Sequence, residues 1–351
     1  MKVFFLVDPL ESFYGPLRPP LLIARELKGR FDFVLVSPLI KREVEGELEA
    51  LGLPFISLKK RFFFSGSLLT FEAWLRGSKF KANSEDIVVN FSQHFLADSN
   101  IYYAQGPITR ALDDIMPELR LSHRLIYRLS RPLLVKKDKE FARKIRRRSN
   151  VFVANSKFCA SMYEDWGLHV DRVIYPPLDC ERFKPAKNPS SDYILTYAGK
   201  ETKYRVIKKL ADAGIEIRVF GSKAPVPSQL LRHERIQILG RVSDDELIYL
   251  YSNALLTLFT FTHEPFGYIP IESMACGTPV LTYERQGPRE SVSHGISGWT
   301  VRTDDELITL AIKLWNEGYP QKIRSNARMR ALSYDSHKIA EEWHDLLKSF
   351  S

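Results

Sequence analysis

Cysteine is scarce, with Cys159, Cys180 and Cys276 the only three among 351 residues. None stands in a C-x-x-C or C-x-x-C-H spacing, which removes the usual signs of metal or haem attachment, and so few thiols fit a reducing compartment. Long apolar runs are missing too. The opening MKVFFLVDP stops at Asp8 and Pro9, too soon for a signal peptide and suited to a buried first strand. Nothing approaches the roughly 20 apolar residues of a membrane span. Asp-x-Asp, His-Glu-x-x-His, G-x-G-x-x-G, Walker A and G-x-S-x-G are all absent, so paired-carboxylate metal sites and zincin, nicotinamide, kinase-type and serine-hydrolase chemistry lose their signatures. The expectation is a cytoplasmic protein with no metal or cofactor, touching membranes at most peripherally.

What is present points to a two-domain α/β protein. The composition, 44% hydrophobic and 26% charged, is ordinary for a globular chain, and the length exceeds one typical core. Short runs rich in Val, Ile, Phe and Leu alternate with turn signals and helical patterns, the mark of parallel strands joined by crossover helices. The first series falls at 3–7, 33–36, 55–58, 87–90, 101–104, 151–154 and 173–175. A proline-rich stretch follows, and then a second series at 193–197, 216–220, 236–239, 255–259, 280–283 and 299–301. Capping boxes at Ser243 with Glu246 and Thr303 with Glu306 mark two helix starts. The expected division is an N-terminal domain 1–178, a linker 179–192, a C-terminal domain 193–333 and a helix 334–351 returning to the N-domain. Two such open sheets place ligands in the crevice beyond their strand ends.

The richest segment is HEPFGYIPIESMACG, from His263 to Gly277. A strand ends before it, Glu264 lies on a loop, Gly267 permits a tight entry, and a helix begins at Tyr268. Glu272 sits inside that helix, and Gly277 suits the left-handed position after it. The free amides at the helix start favour a phosphate. Two carboxylates flank the spot.

The Glu264 to Glu272 spacing resembles the E-x7-E of family 4 glycosyltransferases, within a stretch similar to their E-P-F-G-x-x-x-x-E-A-M-A-x-G-x-P-V. QGPRE at 286–290, HGISGW at 294–299, NSKFCASMYEDWG from Asn155 and VIYPPLDCERFKP from Val173 resemble further elements of that family in the same order. The resemblance implies a GT-B fold and a retaining, metal-independent hexosyltransferase using a UDP- or GDP-linked sugar. It implies that Lys200 and Lys203, in TYAGKETKYR, neutralise the donor diphosphate, with Arg205 able to take either role. Glu264 with Phe266 and Gly267 would hold sugar hydroxyls, Tyr268 and its neighbours the phosphate, Glu272 the ribose, and the Arg241–Val242 turn the base. A leaving nucleotide accumulates negative charge, and positioned ammonium groups with helix amides stabilise it much as a metal would.

On the acceptor side the pattern departs from the family. YYAQGPITR carries Gln105 where many relatives have a histidine, leaving His94 as a possible substitute, and the first strand-to-helix turn keeps one glycine, Gly15. Charge is concentrated: from 118 to 148 stand eight Arg and four Lys against Glu118, Asp138 and Glu140, a net +9 that equals the formal charge of the entire chain. Arg120, Arg124 and Arg128 form a helical stripe beside Leu121, Leu125 and Leu129, suited either to an anionic bilayer or to covering a sheet. KKRFFFSGSLLTFEAWLRGSKF, from Lys59, mixes cations with aromatics in the same way. A membrane then makes a lipid-linked glycan an attractive acceptor. No recognition motif accompanies the charge, which weighs against nucleic acid. Rival readings are a sugar-nucleotide epimerase or phosphorylase of the same fold, and a basic membrane- or nucleic-acid-binding protein without catalysis.

Overall fold

The computed structural model describes residues 1–12, 17–116, 121–222 and 226–351; Gly15 and Arg120 lie outside them. The chain divides into two compact units. Unit 1 comprises Met1–Ile108, Pro132–Pro177 and Ser336–Ser351, and unit 2 comprises Thr109–Arg131 and Leu178–Asp335.

Unit 1 is built on β1 (Lys2–Leu6), β2 (Asp32–Ser37), β3 (Phe55–Ser57), β4 (Ile87–Asn90), β5 (Ser99–Ala104), β6 (Ser149–Ala154) and β7 (Arg172–Val173). They form one parallel sheet in the order β3-β2-β1-β4-β5-β6-β7. Alternation along β1 sends Val3 and Phe5 into the cluster beneath the helix Arg18–Glu26, and Phe4 and Leu6 into the cluster on the other face. Both faces are therefore buried, which is why the strand reads as a continuous apolar run. The C-terminal helix Ser336–Lys348 contributes Ile339, Trp343, Leu346 and Leu347 to the first cluster.

Unit 2 carries β8 (Ile194–Tyr197), β9 (Ile217–Phe220), β10 (Ile236–Gly240), β11 (Leu256–Leu258), β12 (Val280–Tyr283) and β13 (Gly298–Val301). This sheet too is parallel, in the order β10-β9-β8-β11-β12-β13. Every strand expected from the sequence is present, with ends moved by one or two residues.

The two helix starts differ in detail. At Ser243 both halves of the box form: its hydroxyl accepts from Glu246 N, and Glu246 Oε2 accepts from Ser243 N at 2.8 Å. At Thr303 the hydroxyl accepts from Glu306 N at 3.1 Å, but the Glu306 carboxylate takes the amide of Arg302 instead of the cap amide. The second box is half a box, shifted by one residue.

The basic stripe lies on a 28-residue helix, Leu121–Arg148, with Pro132 inside it. Leu121, Leu125, Ile126, Leu129 and Leu133 are exposed, so this face does not cover a sheet. Among the described residues no helix is long and apolar enough to cross a membrane.

Candidate functional site

In the unit 2 sheet the chain order reverses between β8 and β11, and the loops leaving these two neighbours run in opposite directions. Such a switch point opens a crevice at the carboxyl ends of the strands. Residues 198–203 follow β8 and residues 259–267 follow β11. Thr202 fixes the first loop, its hydroxyl donating to Tyr197 O at 2.8 Å and accepting from Gly199 N at 2.7 Å. Lys203 N donates to Thr260 Oγ1 at 3.1 Å and ties the two loops together.

Glycine is required here by space. A Cβ on Gly199 would lie 2.7 Å from both the Phe261 and Tyr197 rings. Gly267 has φ 87° and is the cap of the helix Tyr268–Ala275; a Cβ there would strike Pro288 at 2.9 Å and crowd the Glu264 side chain at 3.3 Å. The helix ends at Gly277 with φ 77°, as its sequence foretold.

The 286–290 motif supports the Glu264 loop. Gly287 N donates to Glu264 O at 2.9 Å, and Glu264 N donates to Gln286 Oε1 at 3.3 Å. Gln286, itself buried, is held by Thr282 through its Nε2 at 2.8 Å. The backbone of Glu264 is thus clamped on both its polar groups by a strand-end motif more than twenty residues away. Phe266 is 3% exposed, its ring against Tyr268 and Tyr334, so only its backbone can meet a ligand. Pro270 at the third helical position removes one donor, leaving the amides of Tyr268 and Ile269 at the tip. A helix start attracts an anion by about 0.5–2 kcal/mol.

The expected cations are not equivalent. Lys200 is half-exposed on the β8 loop and Arg205 exposed in the first turn of the helix Tyr204–Asp212. Lys203 differs from its expected state as a plain phosphate cation: its Nζ is 2.7 Å from Asp304 Oδ1 and 4.1 Å from the centre of the Tyr283 ring. Tyr283 donates to the same Asp304 oxygen at 2.6 Å. Desolvation works to raise the Asp304 pKa, but Lys203 and Tyr283 outweigh it and hold the carboxyl below its usual value.

Glu272 is 2% exposed, and its Oε2 accepts from the Tyr251 hydroxyl at 2.9 Å. The carboxylate expected to flank an open site is therefore buried. Gly240 O accepts from Gly221 N at 2.6 Å, which sets the Arg241–Val242 turn beside the end of β9, Arg241 exposed and Val242 half-buried.

In unit 1 the order reverses between β1 and β4. Asp8 follows β1, and its Oδ1 accepts from the Ser92 hydroxyl and pairs with His94 Nδ1. His94 Nε2 faces Thr70 O at 3.1 Å, and because a carbonyl only accepts, that nitrogen carries a hydrogen. His94 is 1% exposed with both nitrogens engaged, and its Nδ1 holds Asp8. Gln105 donates from Nε2 to Phe91 O at 3.1 Å. Asp8, Tyr251 and Asp304 were not anticipated as site residues; of the three only Asp8, which directly follows the first strand, carried a local signal.

Comparison with solved structures decides the architecture. Anabaena HepE, solved in complex with UDP and glucose, superposes with a TM-score of 0.71 over 99% of this chain and 100% of its own, at 18% identity. The fold is GT-B. WaaG, a glycosyltransferase involved in lipopolysaccharide biosynthesis, superposes with a TM-score of 0.66 over 98% of this chain and 99% of its own, at 16% identity. Residues 227–330 match the family model described as Glycosyl transferases group 1. An uncharacterized glycosyltransferase of Methanocaldococcus jannaschii is 30% identical over 122 residues, 34% of this chain. The match spans only 31% of that relative's length. The group 1 match contains both Glu264 and Glu272 and the clamp at 286–290.

Proposed function

We propose that this GT-B chain is a retaining glycosyltransferase that moves a hexose from a UDP- or GDP-linked donor, bound by unit 2, to a hydroxyl of a lipid-linked glycan at the cytoplasmic membrane face. The observation that carries the reading is the clamped Glu264, held with the Tyr268 helix tip at the switch point between β8 and β11. The diphosphate lies on the Tyr268 and Ile269 amides and Lys200. Lys203 joins them if the phosphate draws it from Asp304, and Arg205 stands in the next turn. Glu264 and the backbone of 266–267 hold sugar hydroxyls. Glu272 takes the ribose in exchange for Tyr251, and the base rests near Arg241 and Val242.

In the reaction, the bond from the anomeric carbon to the phosphate oxygen breaks and a bond to the acceptor oxygen forms on the same face. The acceptor proton passes to the departing phosphate oxygen, so no side-chain base is needed. Ammonium and amide groups meet the charge that develops on the leaving group, and no metal is required. HepE's complex with UDP and glucose supports a nucleotide-linked hexose, and WaaG's place in lipopolysaccharide synthesis supports a lipid-linked acceptor. The exposed Arg124 and Arg128 beside bare leucines support an anionic membrane surface.

The test begins with a thermal-shift panel of UDP-glucose, UDP-N-acetylglucosamine and GDP-mannose, since a ligand that binds only the native state raises the melting temperature. With the donor so chosen, Glu264→Ala and Lys200→Ala each lower transfer by about 100-fold or more with the fold intact. A chelator leaves the rate unchanged. Full turnover in both variants would discard the site.

A further inference from the structure

Unit 1 carries an aromatic projection that its own core does not use. From Lys59 to Lys81 there are six cations and a single acid, Glu72. The helix Gly66–Arg76 buries Leu69, Ala73 and Trp74 on one side. Leu68 of that helix is 60% exposed, and in the turn before it Phe63 is 89% exposed and Phe64 55%. Exposed apolar groups clustered on a rim of charge mark an interaction surface.

The projection is built. Glu72, only 8% exposed, accepts the amides of Phe63 at 2.8 Å and Phe64 at 3.2 Å. Its other oxygen accepts from Arg76 Nη1 at 2.7 Å, and the same nitrogen donates to Arg61 O at 2.6 Å. The Arg76 guanidinium lies 5.6 Å from the Phe62 ring centre and 5.9 Å from that of Phe63. Lys60 Nζ bonds to the carbonyl of Gly77 and, at 3.2 Å, to the Ser78 hydroxyl. A turn whose two aromatic tips are bare has its backbone tied down by one buried carboxylate. Ordering the chain in advance lowers the entropy that docking must overcome.

Charge selects the partner. Arg76 neutralises Glu72, which leaves Lys59, Lys60, Arg61, Lys79 and Lys81 without an acid in the segment. A second copy of this face would bring five cations against five, whereas anionic headgroups meet the cations while acyl chains receive the rings. We infer that the Phe63–Phe64 turn is a membrane-insertion prong that docks unit 1 on an anionic lipid bilayer. It shares the expectation of a membrane with the function proposed above, but none of its residues belong to the donor site, so vesicle binding and nucleotide binding fail independently.

Flotation of the full chain with vesicles of phosphatidylcholine alone, or with about one-third phosphatidylglycerol, tests it. The chain floats with the anionic vesicles only. Phe63→Ser with Phe64→Ser lowers the bound fraction by about tenfold or more, while the melting temperature and any nucleotide-induced shift stay as in the parent. Glu72→Gln keeps both rings but loosens the turn, and lowers binding by about threefold. Arg124→Gln with Arg128→Gln is the comparison, removing salt-sensitive attraction without touching the prong. The inference is overturned by equal flotation of parent and double-serine variant, by no flotation of the parent, or by a lipid-free dimer that the serine substitutions dissolve.

Discussion

Gly287 shows how much of the site depends on one missing side chain. A Cβ there would lie 2.0 Å from Pro265 O and 2.8 Å from the Phe266 Cα, both backbone atoms that cannot swing aside. Gly287→Ala is therefore expected to push the 264–267 loop outward, breaking the bond from its own amide to Glu264 O, at a cost of about 1–3 kcal/mol. Urea denaturation reads the stability and a nucleotide thermal shift reads the loop; a variant that keeps both refutes the clamp. Tyr251 makes the complementary case. Glu272 is buried with that hydroxyl as partner, so Tyr251→Phe leaves a buried carboxylate short of a donor and is expected to cost about 1–3 kcal/mol by the same denaturation measurement. Neither relation is visible in the local sequence. QGPRE could be matched as a motif, but its clamp on Glu264 is a contact over more than twenty residues, and Tyr251 stands on a different helix from Glu272.

At the scale of elements, the start of the helix Asp304–Glu317 meets the start of the helix Tyr204–Asp212 through Asp304 and Lys203. The folded carboxyl of Asp304 is depressed. Its contribution is thus fully present above the unfolded value near 3.8 and is lost as pH falls through the lower, folded value. Asp304→Asn is expected to flatten the acid limb of the stability curve below about pH 4. It also frees Lys203, and so tightens nucleotide binding at neutral pH. Melting temperatures from neutral to acid pH, with and without UDP, measure both effects, and an unchanged acid limb rejects the assignment. The helices themselves were readable: the Ser243 box, the Gly267 entry and the Gly277 exit are local rules with local causes. The half-box at Thr303 was not, because whether Glu306 reaches its own cap or the residue before it depends on the backbone path out of β13.

Across the whole molecule, the C-terminal helix Ser336–Lys348 belongs to unit 1, although the chain reaches it only after completing unit 2. Trp343 is fully buried there, its ring against Phe91 and Tyr103. Trp343→Ala is expected to cost about 3–5 kcal/mol, and limited proteolysis should find unit 1, not unit 2, the more readily cut. Equal protection of both units would contradict that division. The sequence by itself determined where the thirteen strands of the described residues fall along the chain, the parallel two-unit architecture, and the start and end of the helix that carries Glu272, because burial on both faces of a strand and the rules of helix ends write themselves into neighbouring residues. Tertiary structure alone decided that His94 holds Asp8, that Lys203 is paired with Asp304, that the buried Glu272 accepts from Tyr251, and that the leucines of the basic helix are bare. Those outcomes depend on which distant side chains a fold brings together or leaves apart, and no local period or spacing encodes that.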